Sequence, residues 1–276
     1  MINEDYIPKI DLSNLIAHGV NSPEAQNTIQ KIKKASEEVG FFTVTNHGVS
    51  SQSIDKITTT ARSFFHLPLD KKLTIAPKKW NKNTDTVYRG YFPSEVNGKE
   101  GLDIGDPLLT HDMTDLTQKE KFEVNHNMSA LDHDWQNTIN NYYDQVFGLG
   151  IHLFKALISC FSSNIELADF AFQRPKTLST LRFNYYPNQE KPVEISSQDG
   201  VALGCETHVD SGIMTILYQD KKGGLQVQNR HNLQWYDVPH DPQSYVVNSG
   251  LALQYLTNGH FKATNHRVLF NKEERI

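Results

Sequence analysis

The sequence predicts an α+β protein, with helices in its N-terminal part and a mainly β-stranded core after them. Two patterns support this. Helical stretches alternate with short strands near the N-terminus. The C-terminal part contains short strand-like stretches separated by Gly, Asn, Asp or Pro. Evenly spaced short strands are typical of a β-sandwich or barrel. A chain of 276 residues can bury a sizeable core of this kind as a single unit.

The first elements can be read from their boundary residues. Residues 7–12 form a short predicted strand. Ser22 is a plausible N-cap for a helix that begins at Pro23 and ends near Val39, because Gly40 stops it. Residues 41–46 are rich in β-branched and aromatic side chains, which predicts a buried strand.

Further helices are expected in the middle of the chain. Residues 53–65 form a second helical stretch, and residues 76–109 lack a regular pattern. Apolar residues recur at helical spacing over residues 131–165, which predicts the longest helix.

The C-terminal core is predicted from a series of short stretches. They are residues 178–186, 213–219, 224–228, 235–238, 245–248, 251–256, 261–264 and 267–270. We therefore expect one compact protein with a mixed α/β region over residues 1–125. The long helix and the β core would follow over residues 126–276.

Composition excludes several functional classes. The net charge is −5 and the pI is near 6.2, whereas nucleic-acid and membrane-surface proteins favour a basic patch. The two cysteines match neither a disulfide framework nor a zinc-binding spacing. No apolar stretch is long enough to span a membrane, and the N-terminus lacks the pattern of a signal peptide. We expect a cytoplasmic monomer that acts on a small molecule.

A His-x-Asp motif provides the first chemical signal. His208 and Asp210 are two positions apart, and side chains two apart on a strand project to the same side. An imidazole and a carboxylate can therefore converge on one cation, with Val209 facing away. They are two of the ligand types in the facial triad that binds non-haem iron(II).

The third ligand of such a triad must come from another strand. His266 lies 56 positions after Asp210, at the start of an apolar stretch that predicts a strand. Three protein ligands on one face of the metal leave the other face open for oxygen and a chelating co-substrate. Zinc is the alternative metal, because it also accepts His and Asp ligands.

Several motifs beyond the triad resemble a known enzyme family. They are IPKIDL at 7–12, GFFTVTNHGV at 40–49, FFHLP at 64–68, NYYP at 184–187, GLQV at 224–227 and LTNG at 256–259. With them the chain resembles the isopenicillin N synthase-like branch of the 2-oxoglutarate/iron(II) oxygenases. The resemblance implies a distorted double-stranded β-helix, or jelly roll, with N-terminal helices packed around it.

The resemblance also implies a co-substrate site. The family places an Arg nine residues after the second metal-binding His, and Arg275 occupies that position. A guanidinium suits the distal carboxylate of 2-oxoglutarate because it offers a fork of two donors. Tyr186 matches the tyrosine that hydrogen-bonds the same carboxylate. Asn184 and Arg182 alternate with Tyr186 and are further candidates, with ordinary strand polarity as the alternative.

The substrate site is less well defined. Tyr88, Arg89 and Tyr91 match a region that lines the substrate mouth in the family, with packed aromatic residues in a loop as the alternative. Val268 and Leu217 resemble apolar walls of the site, and core packing explains them equally well.

The activity implied by the resemblance is iron(II)- and 2-oxoglutarate-dependent oxygenation of a small organic molecule, with release of succinate and CO2. Hydroxylation is expected, and desaturation or ring closure would need only a different orientation of the substrate at the reactive centre. Some family members keep the triad and the Arg but use no 2-oxoglutarate. A non-catalytic metal- or ligand-binding jelly roll is the rival from another class.

The end of the sequence departs from the family pattern. A Ser is expected one residue after Ile276, and a C-terminal tail after that. We expect the sequence to be a fragment; the alternative is a natural truncation with a more open site.

Overall fold

The computed structural model describes residues 6–94, 98–110, 115–128, 132–162, 165–175 and 177–276. The chain divides into two compact units. Unit 1 comprises Met1–Val49, Gly148–Ile165 and Gln189–Glu273, and unit 2 comprises Ser50–Phe147, Glu166–Asn188 and Glu274–Ile276. Each unit draws on sequence from both sides of residue 125, and the domain division expected there stays a prediction.

The secondary structure of the described residues is mixed. The strands are β1 (Lys9–Asp11), β2 (Phe41–Thr45), β3 (Gly90–Phe92), β4 (Glu100–Ile104), β5 (Leu181–Tyr185), β6 (Glu194–Ile195), β7 (Ala202–His208), β8 (Met214–Leu217), β9 (Leu225–Gln228), β10 (Trp235–Asp237), β11 (Tyr245–Ser249) and β12 (His266–Leu269). The helices are α1 (Ser13–His18), α2 (Gln26–Glu38), α3 (Ser51–Phe65), α4 (Leu69–Leu73), α5 (Gln118–Lys121), α6 (His133–Ser159), α7 (Glu166–Ala171) and α8 (Leu251–Leu256), with a 3-10 turn at Pro23–Ala25.

Unit 1 contains two sheets. One has the strand order β1-β2-β11-β8, and the other has the order β10-β9-β12-β7-β6. Neighbouring strands are antiparallel except for the parallel pair β1 and β2. Phe41 and Val246 from the first sheet share a buried cluster with Leu225 and Val227 from the second. The two sheets therefore pack face to face, which agrees with the predicted jelly roll.

The N-terminal elements confirm the predicted boundaries to within a few residues. The Ser22 hydroxyl accepts a hydrogen bond from the Ala25 N–H at 3.2 Å, so Ser22 caps the helical segment as expected. Helix α2 ends at Glu38, just before Gly40.

Gly40 is required by its surroundings as well as by the helix end. Its φ of +78° lies in the left-handed region that favours glycine. A Cβ here would lie 2.4 Å from the Lys262 carbonyl oxygen and 2.5 Å from the Thr264 hydroxyl oxygen. Gly40 therefore lets the segment before β12 approach the end of α2.

Unit 2 contains the three-stranded antiparallel sheet β3-β4-β5 and helix α3. The Phe64 ring on α3 contacts the rings of Tyr91 and Trp135, with centroids 5.7 and 5.5 Å away. Residues 76–109 were expected to lack regular structure, yet they contain β3 and β4. Glycines weaken the strand pattern in this segment, and pairing with β5 compensates for it.

Two predicted strands are wrong. Residues 251–256 form helix α8, and residues 261–264 lie outside any strand. The sequence Leu-Ala-Leu-Gln-Tyr-Leu consists largely of good helix formers, and Gly250 occupies its N-cap. Short apolar runs do not by themselves distinguish a strand from a helix.

The length and apolarity of the helices bear on the prediction that the chain has no membrane span. None of the helices in the described part of the chain combines the length and apolarity needed to cross a membrane.

Candidate metal centre

The two candidate histidine ligands lie opposite each other on neighbouring strands of unit 1. His208 ends β7, His266 begins β12, and the antiparallel ladder pairs these two residues directly. Their imidazole centroids are 4.2 Å apart with an angle of 54° between the rings. The ladder therefore brings together two residues that are far apart in sequence.

Asp210 completes the group from a position just beyond the strand. We expected His208 and Asp210 to share a strand, but β7 ends at His208 and Asp210 lies in the segment that follows. Its Oδ1 lies 3.8 Å from the Nε2 atom of His208 and 3.7 Å from the Nε2 atom of His266. One ligand atom from each of the three residues lies within 4.8 Å of the others.

Hydrogen bonds fix which imidazole nitrogen faces the centre. The Nδ1 atom of His208 lies 2.8 Å from the carbonyl oxygen of Glu206, and that of His266 lies 3.1 Å from the carbonyl oxygen of Thr264. Each Nδ1–H can donate to its carbonyl, which leaves both Nε2 atoms with lone pairs for a metal. A hydrogen bond with Cys205 is the main cause that raises the pKa of His208 above its ordinary value.

The Asp210 carboxylate is held in a similar way. Its Oδ2 accepts hydrogen bonds from the Thr215 hydroxyl at 2.5 Å and from the Asn248 amide at 2.8 Å. Burial acts to raise the pKa of the Asp210 carboxyl, but these two donors and the nearby imidazoles outweigh it and hold this pKa below its ordinary value. The carboxyl is therefore ionised at neutral pH, as a metal ligand has to be.

Sequence reasoning missed Thr215 and Asn248 as parts of the centre. They entered the sequence analysis only as members of the predicted stretches 213–219 and 245–248. The signal available in the sequence was a short polar side chain within a predicted strand. In the structure the Asn248 residue is buried, with 3% of its surface exposed. A buried amide needs a polar partner, but its identity cannot be read from the sequence.

His266 is the more buried of the two histidines. It is 7% exposed, and the Phe41 ring packs edge-on against it with centroids 5.1 Å apart. The Thr264 hydroxyl donates to the Val39 carbonyl at 2.7 Å. This bond anchors the backbone whose carbonyl orients the His266 ring.

The donor set fits iron(II). Two imidazole nitrogens and one carboxylate oxygen on one face form the 2-His-1-carboxylate pattern that is diagnostic of non-haem iron oxygenases. Each ligand's other polar atom is already occupied by a protein partner, as is typical of a built metal site.

Comparisons with known proteins agree with this geometry. The family model described as "non-haem dioxygenase in morphine synthesis N-terminal" matches residues 7–143, and the one described as "2OG-Fe(II) oxygenase superfamily" matches residues 177–276. Isopenicillin N synthase from Penicillium rubens is 30% identical over 278 residues, covering 98% of this chain and 82% of that protein.

Two solved structures extend the match to the fold. A full-length Neurospora crassa protein in complex with alpha-KG and 5-formyluracil has a TM-score of 0.78 and 26% identity, covering 99% of this chain and 84% of that one. The dioxygenase for auxin oxidation 1 from Arabidopsis thaliana, in complex with 2-oxoglutarate, has a TM-score of 0.72 and 27% identity. That match covers 98% of this chain and 89% of the Arabidopsis chain.

The chain belongs to the 2OG-Fe(II) oxygenase superfamily. It is an iron(II)- and 2-oxoglutarate-dependent dioxygenase that oxidises a small molecule, and its jelly-roll fold is confirmed.

Arg275 and Tyr186 of the oxygenase pair across an isolated antiparallel bridge in unit 2. The Tyr186 N–H donates to the Arg275 carbonyl at 2.8 Å, and the Arg275 N–H donates to the Tyr186 carbonyl at 3.0 Å. The guanidinium carbon lies 4.3 Å from the centroid of the Tyr186 ring, and both residues are buried. The two candidates are therefore neighbours, and their role in binding 2-oxoglutarate stays a prediction.

The other two candidates on this stretch differ from each other. Arg182 forms a bidentate ion pair with Asp103 on β4, with N–O distances of 2.6 and 2.5 Å. Asn184 is half-buried and lies opposite Gly101 in the same sheet. Arg182 is thus committed to a structural pair, and the role of Asn184 at the co-substrate stays a prediction.

Tyr88 and Arg89 occupy contrasting environments in the oxygenase. Tyr88 is 52% exposed, whereas Arg89 is only 5% exposed. The Arg89 guanidinium lies 2.6 Å from a carboxylate oxygen of Glu123 and donates to the Thr180 hydroxyl at 2.6 Å. These contacts give Arg89 a structural role in unit 2, and contact of Tyr88 or Arg89 with the substrate stays a prediction.

Tyr91 and Val268 are both part of packed cores. Tyr91 is 1% exposed, and its hydroxyl donates to the Glu100 carboxylate at 2.6 Å. Val268 and Leu217 pack against the cluster between the two sheets of unit 1. Burial explains the presence of Tyr91 without a substrate contact. Val268 lies two residues after His266 on β12, so a place near the reaction centre stays a prediction.

Proposed function

We propose that the oxygenase binds iron(II) through the Nε2 atoms of His208 and His266 and the Oδ1 atom of Asp210. The observation that supports this is the convergence of these three atoms while the second polar atom of each side chain bonds to the protein. The bonds to carbonyls fix the tautomer and the orientation of both imidazoles, and the donors on Oδ2 keep the carboxylate ionised.

The co-substrate is proposed to be held by Arg275, Tyr186 and Asn184. Arg275 offers a fixed charge and two parallel N–H groups for the distal carboxylate of 2-oxoglutarate, and the Tyr186 hydroxyl can donate to the same carboxylate. Stacking of the guanidinium on the Tyr186 ring limits the freedom of both side chains before the co-substrate binds.

The proposed reaction is hydroxylation of a small organic molecule. With iron(II) bound, one O2 is consumed; one oxygen atom enters the substrate C–H bond as a hydroxyl, and the other enters succinate as 2-oxoglutarate loses CO2. The protein's own residues orient both organic molecules and exclude water from the centre. Val268 and the exposed Tyr88 are the side chains that we propose to contact the substrate.

A second candidate activity follows from the relative in Penicillium. Isopenicillin N synthase is among the proteins to which this chain is similar, at 30% identity. Some members of the family that the sequence resembles use no 2-oxoglutarate, so an iron(II) oxidase with the same three metal ligands is the alternative to be tested.

One spectroscopic experiment separates these candidates. Protein loaded anaerobically with iron(II) is titrated with 2-oxoglutarate, and the weak metal-to-ligand charge-transfer band of the chelate is recorded. Wild type is compared with Arg275→Ala and with Arg182→Ala as a control, because Arg182 is an arginine from the same part of unit 2 that is committed to Asp103.

We expect the charge-transfer band in wild type and in Arg182→Ala. In Arg275→Ala a much higher concentration of 2-oxoglutarate should be needed to produce the same band. Bound iron without any band in wild type would reject the 2-oxoglutarate assignment and favour the oxidase. A failure to bind iron would reject the metal centre itself.

We also propose that the protein acts as a monomer in the cytoplasm. Neither Cys160 nor Cys205 forms a disulfide among the residues that the structure describes, as expected in a reducing compartment. Light scattering would overturn the proposed monomer if it gave a mass well above that of one chain. Localisation of the tagged protein outside the cytoplasm would overturn the second part.

A further inference from the structure

The two oxygen atoms of the Asp210 carboxylate have different surroundings. Oδ1 faces the Nε2 atoms of both histidines at 3.7 and 3.8 Å. Oδ2 receives two hydrogen bonds, from Thr215 and Asn248, at 2.5 and 2.8 Å. A carboxylate oxygen has about two lone-pair sites, so the lone pairs of Oδ2 are committed to these donors.

The two donors reach the same oxygen because of strand register. Thr215 on β8 and Asn248 on β11 are direct cross-strand partners in the antiparallel ladder. Side chains of such partners project from the same face of the sheet with closely spaced Cβ atoms. Their position relative to Asp210 is thus built into the sheet rather than into a flexible loop.

The residues that follow β11 also hold the backbone around Asp210 in place. The Leu251 N–H at the start of α8 donates to the Asp210 carbonyl at 2.8 Å, and the Gly250 N–H donates to the Ile213 carbonyl at 3.0 Å. A Cβ on Gly250 would lie 2.2 Å from the Gly212 carbonyl oxygen, so only glycine allows this approach.

We propose that Thr215 and Asn248 are positioning residues that restrict Asp210 to binding iron through one oxygen. The proposal rests on the proposed function, because it assumes the same three ligands. A free carboxylate can bind a cation through both oxygens. The second oxygen would then occupy a position on the open face of the metal. The co-substrate takes two positions there as a chelate, so a two-oxygen Asp210 would compete with O2 for the remaining one.

The test counts the waters on a metal at this centre. Manganese(II) is added alone, and the water-proton relaxivity of the complex reports how many waters the metal holds. The variants are Thr215→Val, Asn248→Ala and the double variant. Thr215→Ser keeps the hydroxyl and is the conservative variant.

A matched control is available on the same sheet. Thr43 on β2 is buried and lies opposite Val246 on β11, so Thr43→Val removes a hydroxyl from a strand that also pairs with β11. Circular dichroism and thermal unfolding identify any variant that fails to fold, and relaxivity is compared only among folded proteins.

We expect an octahedral ion held by the three protein atoms to keep about three waters in wild type, Thr215→Ser and Thr43→Val. The double variant should lose about one third of the inner-sphere relaxivity, as Oδ2 replaces one water. Its manganese affinity is also expected to fall, by about 10- to 100-fold. The single variants should lie between these limits.

The outcomes separate the two proposals. Wild-type protein that binds no manganese, or binds it equally after Asp210→Ala, would overturn the metal centre and the positioning role with it. Binding that depends on Asp210, with unchanged relaxivity in a folded double variant, would overturn only the positioning role. Asn248→Ala alone carries the test if the double variant does not fold.

Discussion

The metal centre of unit 1 and the Arg275–Tyr186 pair of unit 2 are built in different ways. In the metal centre, a strand ladder sets His208 opposite His266, and separate hydrogen bonds orient each ligand. The Arg275–Tyr186 pair depends on an isolated two-bond bridge and on contact between a guanidinium and a ring. One region is fixed by an extended sheet, and the other by a local contact at the end of the described chain.

This difference matches what each ligand requires. A metal needs its donor atoms held within narrow limits of distance and direction, so every ligand has a supporting partner. A carboxylate of a co-substrate is recognised by charge and by a fork of donors, which tolerate small displacements. Changes in the metal centre should therefore have larger effects than changes at Arg275.

The largest effect is expected from removal of a ladder-positioned ligand. His266→Ala should abolish stoichiometric iron(II) binding and all substrate-dependent succinate formation, because only two protein ligands would remain. Metal titration followed by a succinate assay measures both. The exposed His231 provides the control, and His231→Ala should behave as wild type. Wild-type iron affinity in His266→Ala would show that His266 is not a ligand.

A smaller effect is expected when the support of the Asp210 segment is disturbed. In Gly250→Ala the new Cβ meets the Gly212 carbonyl oxygen, which displaces the segment that carries Asp210. Metal affinity should fall by about 10- to 100-fold, and the melting temperature should also fall. Gly148→Ala in α6 is the matched control, because a Cβ there meets no atom within 4 Å. It should be neutral or stabilising by about 0.5–1 kcal/mol, the cost of glycine inside a helix. Equal metal affinity in both variants would contradict the support role of Gly250.

At the second region we expect a moderate and separate effect. Arg275→Lys retains the charge but loses the planar fork, so the Kd for 2-oxoglutarate should rise about tenfold, or about 1.4 kcal/mol. Iron affinity should not change, because the three metal ligands lie in unit 1. Calorimetric titration with each ligand measures the two effects independently. A parallel loss of iron affinity would break the contrast between the two regions.

The smallest effect concerns the pH dependence of stability in unit 1. Burial lowers the pKa of His47, against the raising effects of the Gln243 carbonyl and Asp241, and the Val49 N–H donates to the unprotonated Nδ1. The unfolded chain therefore takes up a proton at a higher pH than the folded one. The contribution of neutral His47 is complete above the unfolded pKa of about 6.5 and is lost as the pH falls below it.

The test compares thermal unfolding near neutral pH and at mildly acidic pH. His47→Asn removes the titration and keeps an oxygen that can accept from Val49 N–H. Its melting temperature should fall less on acidification than that of wild type. An identical fall in both proteins would exclude His47 as a source of the acid sensitivity.

Much of the architecture could be predicted from local signals. Ser22 and Gly40 mark the ends of the helical segment that contains α2, because caps and helix stops depend on neighbouring residues only. The pairing of His208 with Asp210 was also local, since two residues of separation limits where their side chains can go. Helix α8 was mistaken for a strand because six apolar-rich residues carry too short a pattern to show a period.

Residues whose roles depend on distant partners could not be assigned. Tyr91 and Arg89 match a region that lines the substrate mouth in the family, and in the structure each is buried against a carboxylate. That of Glu100 lies on the neighbouring strand and that of Glu123 lies further along the chain, and a substrate contact of either residue stays a prediction. Thr215 and Asn248 gave no sign that they would meet at one oxygen. Their meeting depends on the register between β8 and β11.

The sequence by itself determined the ligand types and the family, because these depend on residue identity and short spacing. Only the tertiary structure decided which atoms of the ligands face the metal. That choice rests on the Glu206 and Thr264 carbonyls, which accept from the histidine Nδ1–H groups, and on Thr215 and Asn248, which donate to Oδ2 of Asp210. The bond from Asn248 joins residues 38 positions apart and depends on the register between β8 and β11. Such a bond has no counterpart in a local pattern, so it appears only when the sheet forms.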